Sequence, residues 1–224
     1  MIMSGIINGF DVNILATGST GNCTILDGAL ALDMGIPFKQ IVKYLPQLHV
    51  VFISHEHGDH LKPSTVHALA DWRPTLRFCC GEFLAVKLLA ANVDRRCIDV
   101  LRLGKRYNYG PFSVEPVELH HNVPCYGLKI YKATGQKALY AVDTGSLDGV
   151  EAKDFDLYLV EANHTQAEIE ERAAAKLDNG EFAYETVAAT NHLSFEQAQE
   201  WLYDNMGSKS IWLPMHGHGG KANG

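Results

Sequence analysis

Short apolar runs, several of them β-branched, recur along the chain and are separated by polar, turn-rich segments. Runs of this length between turn signals predict buried strands. Asp11 to Leu15, Cys23 to Leu26 and Leu30 to Leu32 form one such series, divided by Thr17-Gly18-Ser19-Thr20-Gly21-Asn22 and by Asp27-Gly28, and they predict an opening β-meander. Ile36 to Leu45, with Pro37 near its start, predicts a first helix, and Val50 to Ile53 a strand. Helical spacing follows over Ser64 to Trp72 and Glu82 to Ala91, with a strand at Leu76 to Cys79 between them. Strand-like runs then come in succession at Ser113 to Leu119, Tyr126 to Tyr131, Ala138 to Val142 and Leu157 to Val160. Helices at about Gln166 to Lys176 and Ser194 to Asn205 precede a last strand, Ile211 to Met215.

Helices and strands are interleaved, yet several strands follow one another directly. That order argues against a purely doubly wound parallel sheet and for an α/β fold of two mixed sheets with helices outside. The 224 residues suffice for one domain spanning 1–224, with a glycine-rich end from Gly217 to Gly224 expected to fray.

The chemistry concentrates in Ser54-His55-Glu56-His57-Gly58-Asp59-His60, directly after the Val50–Ile53 run. The loop therefore leaves a buried strand. His55 and His57 are spaced to reach one cation, and Gly58 lets the chain turn so that Asp59 and His60 face a neighbouring one. Imidazole and carboxylate suit zinc, and also manganese or iron; the absence of cysteine argues for a catalytic over a closed structural site.

Composition narrows the setting. Five cysteines without a CxxC pair fit reduced thiols. No apolar run approaches a membrane span and the start lacks a secretory signal, so the expected location is the cytoplasm, with no membrane partner. With 19 basic and 26 acidic side chains the net charge is −7, which excludes a general polyanion-binding surface. Arg102, Lys105 and Arg106 are the local candidates for phosphate contacts, though such a run is more often a solvated face.

The pattern His-x-His-x-Asp-His resembles the signature of the metallo-β-lactamase superfamily, and further motifs resemble it from about residue 12 to residue 216. Asp33 after Leu30-Ala31-Leu32 is similar to the aspartate that braces the histidine loop. Leu119-His120-His121-Asn122-Val123-Pro124 resembles the next motif and supplies His121, with His120 as the alternative. Ala141-Val142-Asp143-Thr144-Gly145 resembles the motif of the bridging aspartate, and the strand ending at Met215 is followed by His216, with His218 as the fallback. The resemblance implies a four-layer αββα sandwich and two divalent ions, zinc first and manganese or iron as alternatives. It implies His55, His57 and His121 on one ion, Asp59, His60 and His216 on the other, and Asp143 between them.

Two segments point to a branch. Glu161-Ala162-Asn163-His164 and Asn191-His192-Leu193-Ser194 resemble motifs of the phosphodiesterase-like members, ribonuclease Z and the WalJ/YycJ-type exonucleases, and the Gly18–Asn22 loop resembles the start of the latter group. The resemblance implies a hydrolase attacking with a water activated between the metals, with Asp59, His192 and Glu161 as catalytic residues. A capping box at Ser194 and Gln197 would place His192 at a helix start in either case. No insertion resembles the transfer-RNA-gripping arm of ribonuclease Z, so the expected substrate is a phosphodiester in DNA more than in transfer RNA. A carbon ester, in a lactone or thioester, is the alternative, and homo-oligomerisation is left open.

Overall fold

The computed structural model describes residues 3–169, 171 and 190–217. β1 (Met3–Ile7), β2 (Phe10–Ala16), β3 (Cys23–Leu26) and β4 (Leu30–Leu32) form an antiparallel meander. Asn8 and Gly9, both at positive φ, make the two-residue hairpin loop between the first two strands. The chain then crosses over three times through α1 (Phe38–Ile41), α2 (Pro63–Trp72) and α3 (Glu82–Ala90), adding β5 (Val50–Ile53), β6 (Arg77–Gly81) and β7 (Ile98–Leu101) in parallel. These seven strands lie in sequence order in one sheet.

The second sheet has six strands. β8 (Tyr107–Tyr109), β9 (Phe112–Leu119), β10 (Cys125–Lys132) and β11 (Lys137–Ala141) are antiparallel, and β12 (Leu157–Glu161) and β13 (Ile211–Met215) continue parallel to β11. α4 (Phe195–Asn205) precedes β13. Its capping box is complete, with Ser194 Oγ accepting from Gln197 N and Gln197 Oε1 accepting from Ser194 N.

The period of two sorts each strand's side chains to opposite faces. In β5, Val50 and Phe52 join the core between the sheets, whereas Val51 and Ile53 join the core beneath α1 to α3. In β12, Leu157 and Leu159 face the other sheet, while Tyr158 and Val160 pack outward with Leu202 of α4. Strands covered on both sides explain the unbroken apolar runs. Each such side chain contributes about 1.5–3 kcal/mol when fully buried. Helix, sheet, sheet and helix thus stack as the four-layer αββα sandwich. Among the described residues no helix is long and apolar enough to cross a membrane.

One expectation needs correction, and three strands went unread. The helix expected over Ile36 to Leu45 is one turn of α-helix followed by a 3₁₀ turn at Val42–Tyr44: Pro46 has no N–H to give the Val42 carbonyl, which accepts from Leu45 N instead. β1, β7 and β8 are strands that the apolar pattern did not show. Each is the edge of its sheet, covered on fewer sides, and so carries a weaker hydrophobic signal. Most of the helix expected over Gln166 to Lys176, and the tail beyond Gly217, lie outside the described residues.

Candidate metal centre

The parallel strands β4, β5, β11, β12 and β13 all end at one rim of the sandwich, the edge where open α/β sheets present their ligands. Asp33 follows β4, the histidine loop follows β5, His121 follows β9, Asp143 follows β11, Glu161 ends β12 and His216 follows β13. Asp33, Asp143 and His216 take left-handed φ values of 60, 54 and 55°. For L-residues this conformation costs roughly 1–2 kcal/mol each, so hydrogen bonds at the rim must hold it. Each aspartate is followed two residues on by a glycine at a point of close approach. A Cβ on Gly35 would lie 1.6 Å from the Asp59 carbonyl oxygen, and one on Gly145 2.1 Å from that of Thr190. The first approach seats the Asp59–His60 loop; the second brings the His192 segment to Asp143.

All seven residues singled out in the sequence as ligands converge. His55, His57, His121 and Asp143 form one group and Asp59, His60, Asp143 and His216 another, with ligand atoms inside each group within 4.8 Å of one another. His57 Nδ1 lies 3.0 Å from His55 Nε2 and 3.3 Å from His121 Nε2. Asp143 belongs to both groups, its Oδ2 standing 3.3 Å from His55 Nε2 and 3.0 Å from His60 Nε2. His120 is exposed and turns its Nε2 to the Asp148 carbonyl at 3.3 Å, away from the groups, and His218 lies outside the described residues.

Partners behind the rings decide which nitrogens face inward. His60 Nδ1 donates to Asp33 Oδ2 at 2.6 Å, His55 Nδ1 to Ser54 Oγ at 3.0 Å, and His121 Nδ1 to the Asn191 carbonyl at 3.2 Å. In His55 and His121, whose buried rings stay neutral, Nε2 is therefore the bare nitrogen, and His60 likewise turns its Nε2 inward. The Nε2 lone pairs of His55 and His121 converge on His57 Nδ1 at 3.0–3.3 Å, and tetrahedral coordination at about 2.0–2.1 Å sets ligand nitrogens about that far apart. Asp143 Oδ1 is buried without a hydrogen-bond partner, although His216 Nδ1 lies 3.1 Å away outside bonding geometry. Crowded imidazole nitrogens and an orphaned carboxylate oxygen fit divalent metal ions.

The two groups differ in charge. Burial lowers the pKa of His55, against the pull of Asp143, and brings that of His121 down to about 4, so both stay neutral. Burial also disfavours the charged forms of His60 and His216, but there the carboxylates win. Asp33, Asp143 and Asp59 raise His60, while Asp59 and Glu161 push His216 up to about 9. Against their own burial, Asp59 is held well below the usual carboxylate range by His216 and His60, and Asp143 by His55 and His60. Protons on the second group thus balance its carboxylates where cations would.

Several supporting residues went unread in the sequence. Ser54 N and Oγ and Tyr140 OH donate to Asp33, which is wholly buried. Asn22 Nδ2 reaches His60 Nε2 at 2.8 Å and Asp59 Oδ2 at 3.3 Å; its own carbonyl accepts from Gly18 N. Thr144 N donates to Glu161 Oε2 at 2.8 Å, and the other oxygen, Oε1, accepts from His192 Nδ1 at 2.6 Å. Asn22, Ser54 and Thr144 lie in segments the sequence singled out, whereas Tyr140 had no such signal. Of the basic trio, Arg106 is engaged by Glu115 and lies over the Tyr131 ring.

Beta-lactamase superfamily domains match this chain over residues 25–216. Among solved structures, human tRNase Z, short form, shares 15% identity at a TM-score of 0.63, over 92% of each chain. A diphosphatase from the PhnP family shares 12% identity at a TM-score of 0.61, over 92% of this chain and 85% of its own. The metallo-β-lactamase fold protein YhfI from Bacillus subtilis shares 16% identity at a TM-score of 0.60, over 70% and 73% of the two chains. None of the curated proteins matches the sequence. At these identities the structures speak for the fold, and the family match over most of the length places the chain in the metallo-β-lactamase superfamily.

Proposed function

We propose that this protein is a metal-dependent phosphodiesterase, acting as a nuclease on DNA, with His55, His57, His121, Asp143, Asp59, His60 and His216 as its metal ligands. The observation that carries the reading is the pairing of His192 with Glu161 beside the two groups. The carboxylate is fully buried, whereas the imidazole is 20% exposed and reaches the rim. His192 Nδ1 is committed to Glu161, so any proton passed to a substrate leaves from Nε2. Burial works against the charged ring, but Glu161 and then Asp143 raise its pKa, which keeps a proton available for the departing oxygen.

Bound zinc, manganese or iron would acidify a water and polarise the phosphoryl oxygen. Asp59 is the more exposed of the two site aspartates, at 21% against 3%, and is the one placed to orient an attacking water, whose proton passes to solvent. The bond from water oxygen to phosphorus forms as the bond to the leaving oxygen breaks, and His192 protonates the latter. The names of two structural neighbours, a tRNase and a diphosphatase, support phosphorus as the centre attacked.

The test is a substrate panel for the metal-replete protein: bis-p-nitrophenyl phosphate, a lactone, a thioester, and single- and double-stranded DNA and RNA. The reading expects chelator-sensitive cleavage of the diester and of DNA. Lactone or thioester hydrolysis faster by orders of magnitude would replace it with the carbon-ester reading.

A further inference from the structure

We propose that a cavity beside His121 receives a nucleobase of the substrate, an inference that rests on the phosphodiesterase reading and names what the site holds next to the phosphate. The cavity has a volume of about 530 Å³ and its walls include Phe83, Glu118, His121, Asn122, Pro124 and Tyr126. That is within the range of about 300–1,000 Å³ usual for small-molecule sites. His121 is at once a wall of this cavity and a member of the first metal-binding group. A phosphate held at the centre therefore places its neighbouring nucleoside at the cavity mouth.

The aromatic wall is fixed from behind. Tyr126 N donates to the Ser54 carbonyl at 3.1 Å, tying the start of β10 to the root of the histidine loop. The rings of Phe83 and Tyr126 meet edge to face, 5.1 Å apart and at 83°. Phe83 rests on Gly81, where a Cβ would stand 2.2 Å from its ring, so the glycine makes room for it. Core aromatics such as Phe52 and Phe78 are fully buried, but Phe83 and Tyr126 are only partly so. Two aromatic rings, already ordered and left open to solvent next to a phosphate site, are the elements from which sequence-tolerant stacking platforms are built.

Charge decides which part of a nucleotide enters. Glu118 is exposed and is the cross-strand partner of Tyr126, and Glu82 opens the helix that carries Phe83. These carboxylates repel a second phosphate but accept hydrogen bonds from the amino group of a base. The phosphate thus goes to the cationic centre and the base to the acidic, aromatic cavity.

Equilibrium binding to the metal-replete protein tests this, with deoxyadenosine monophosphate and methyl phosphate as the paired probes. We expect the wild type to prefer the nucleotide. Removing one stacking ring by Tyr126→Ala should reduce the affinity ratio by about 5- to 150-fold. Tyr126→Phe should retain the preference, and Tyr126→Leu, which keeps bulk without an aromatic face, should lose most of it even if the alanine variant fails to fold. Equal affinities in the wild type, or a preference that survives the Leu and Phe83→Ala variants, would overturn the proposal. A wild type that prefers the nucleotide but cleaves no diester would leave the cavity standing and remove the phosphodiesterase reading; cleavage without nucleotide preference would do the reverse.

Discussion

Asp33 Oδ2 accepts a hydrogen bond from His60 Nδ1 at 2.6 Å, at a point where neither side chain reaches solvent. The same carboxylate accepts from Ser54 N, Ser54 Oγ and Tyr140 OH, so it joins β4, the histidine loop and β11 of the facing sheet. One buried charge therefore aligns the second metal group and, through Ser54, the first.

Replacing Asp33 by Asn keeps the size and tolerates the left-handed backbone, but its amide sets a donor against donors. Metal affinity should fall by about 10- to 100-fold, the usual loss when a partner behind a ligand histidine is removed. Unfolding of the metal-free protein should show a loss of roughly 3–5 kcal/mol, because His60 keeps its buried position after losing one of its counter-charges. Metal titration and denaturant melts check both; an unchanged affinity would show that Asp33 does not orient His60.

His192→Ala should keep its metals and lose about 10² to 10⁴ of phosphodiester turnover, the range for a general acid. Glu161→Gln is the finer probe. It removes the charge that raises His192, so His192 should deprotonate at lower pH and the alkaline limb of the kcat profile should move down. A limb that stays in place, or a His192 variant that loses metal, would contradict the assigned role.

Metal-free protein should also carry a pH signature. His121, lowered to about 4 from an ordinary value of 6.5, makes stability rise with pH between those values, since only the unfolded chain takes up the proton there. His216, raised from 6.5 to about 9, contributes stability that is complete below 6.5 and lost as pH climbs through 9. Chelator-treated protein should therefore melt highest between these windows, at about pH 6.5. Calorimetry in buffers of different ionisation heat should show proton release on metal binding above that point. Stability of the metal-free protein that keeps rising from neutral pH to 9 would count against the charge balance described.

What the sequence made legible follows from how local each signal is. Val50–Ile53 and Leu157–Val160 were readable because strands covered on both faces are continuously apolar. β1 was not, although Asn8-Gly9 is a hairpin signal, because Met3–Ile7 alternates between partly buried and exposed positions. β8 is three residues whose strand character comes from pairing with Phe112–Val114. The histidine loop announces itself within seven residues. Tyr140, in contrast, meets Asp33 across 107 positions, and no local pattern marks a tyrosine for that task. Asn22 sat in a loop already singled out, but only the fold aims its amide at Asp59 and His60.

If two divalent ions sit between these seven side chains, elemental analysis of metal-replete protein counts them. We predict about two ions per wild-type chain and a clear loss in His57→Ala, whose ring nitrogen stands between those of His55 and His121. A metal content near zero in the replete wild type, or an unaltered content in the variant, would contradict the two-ion reading.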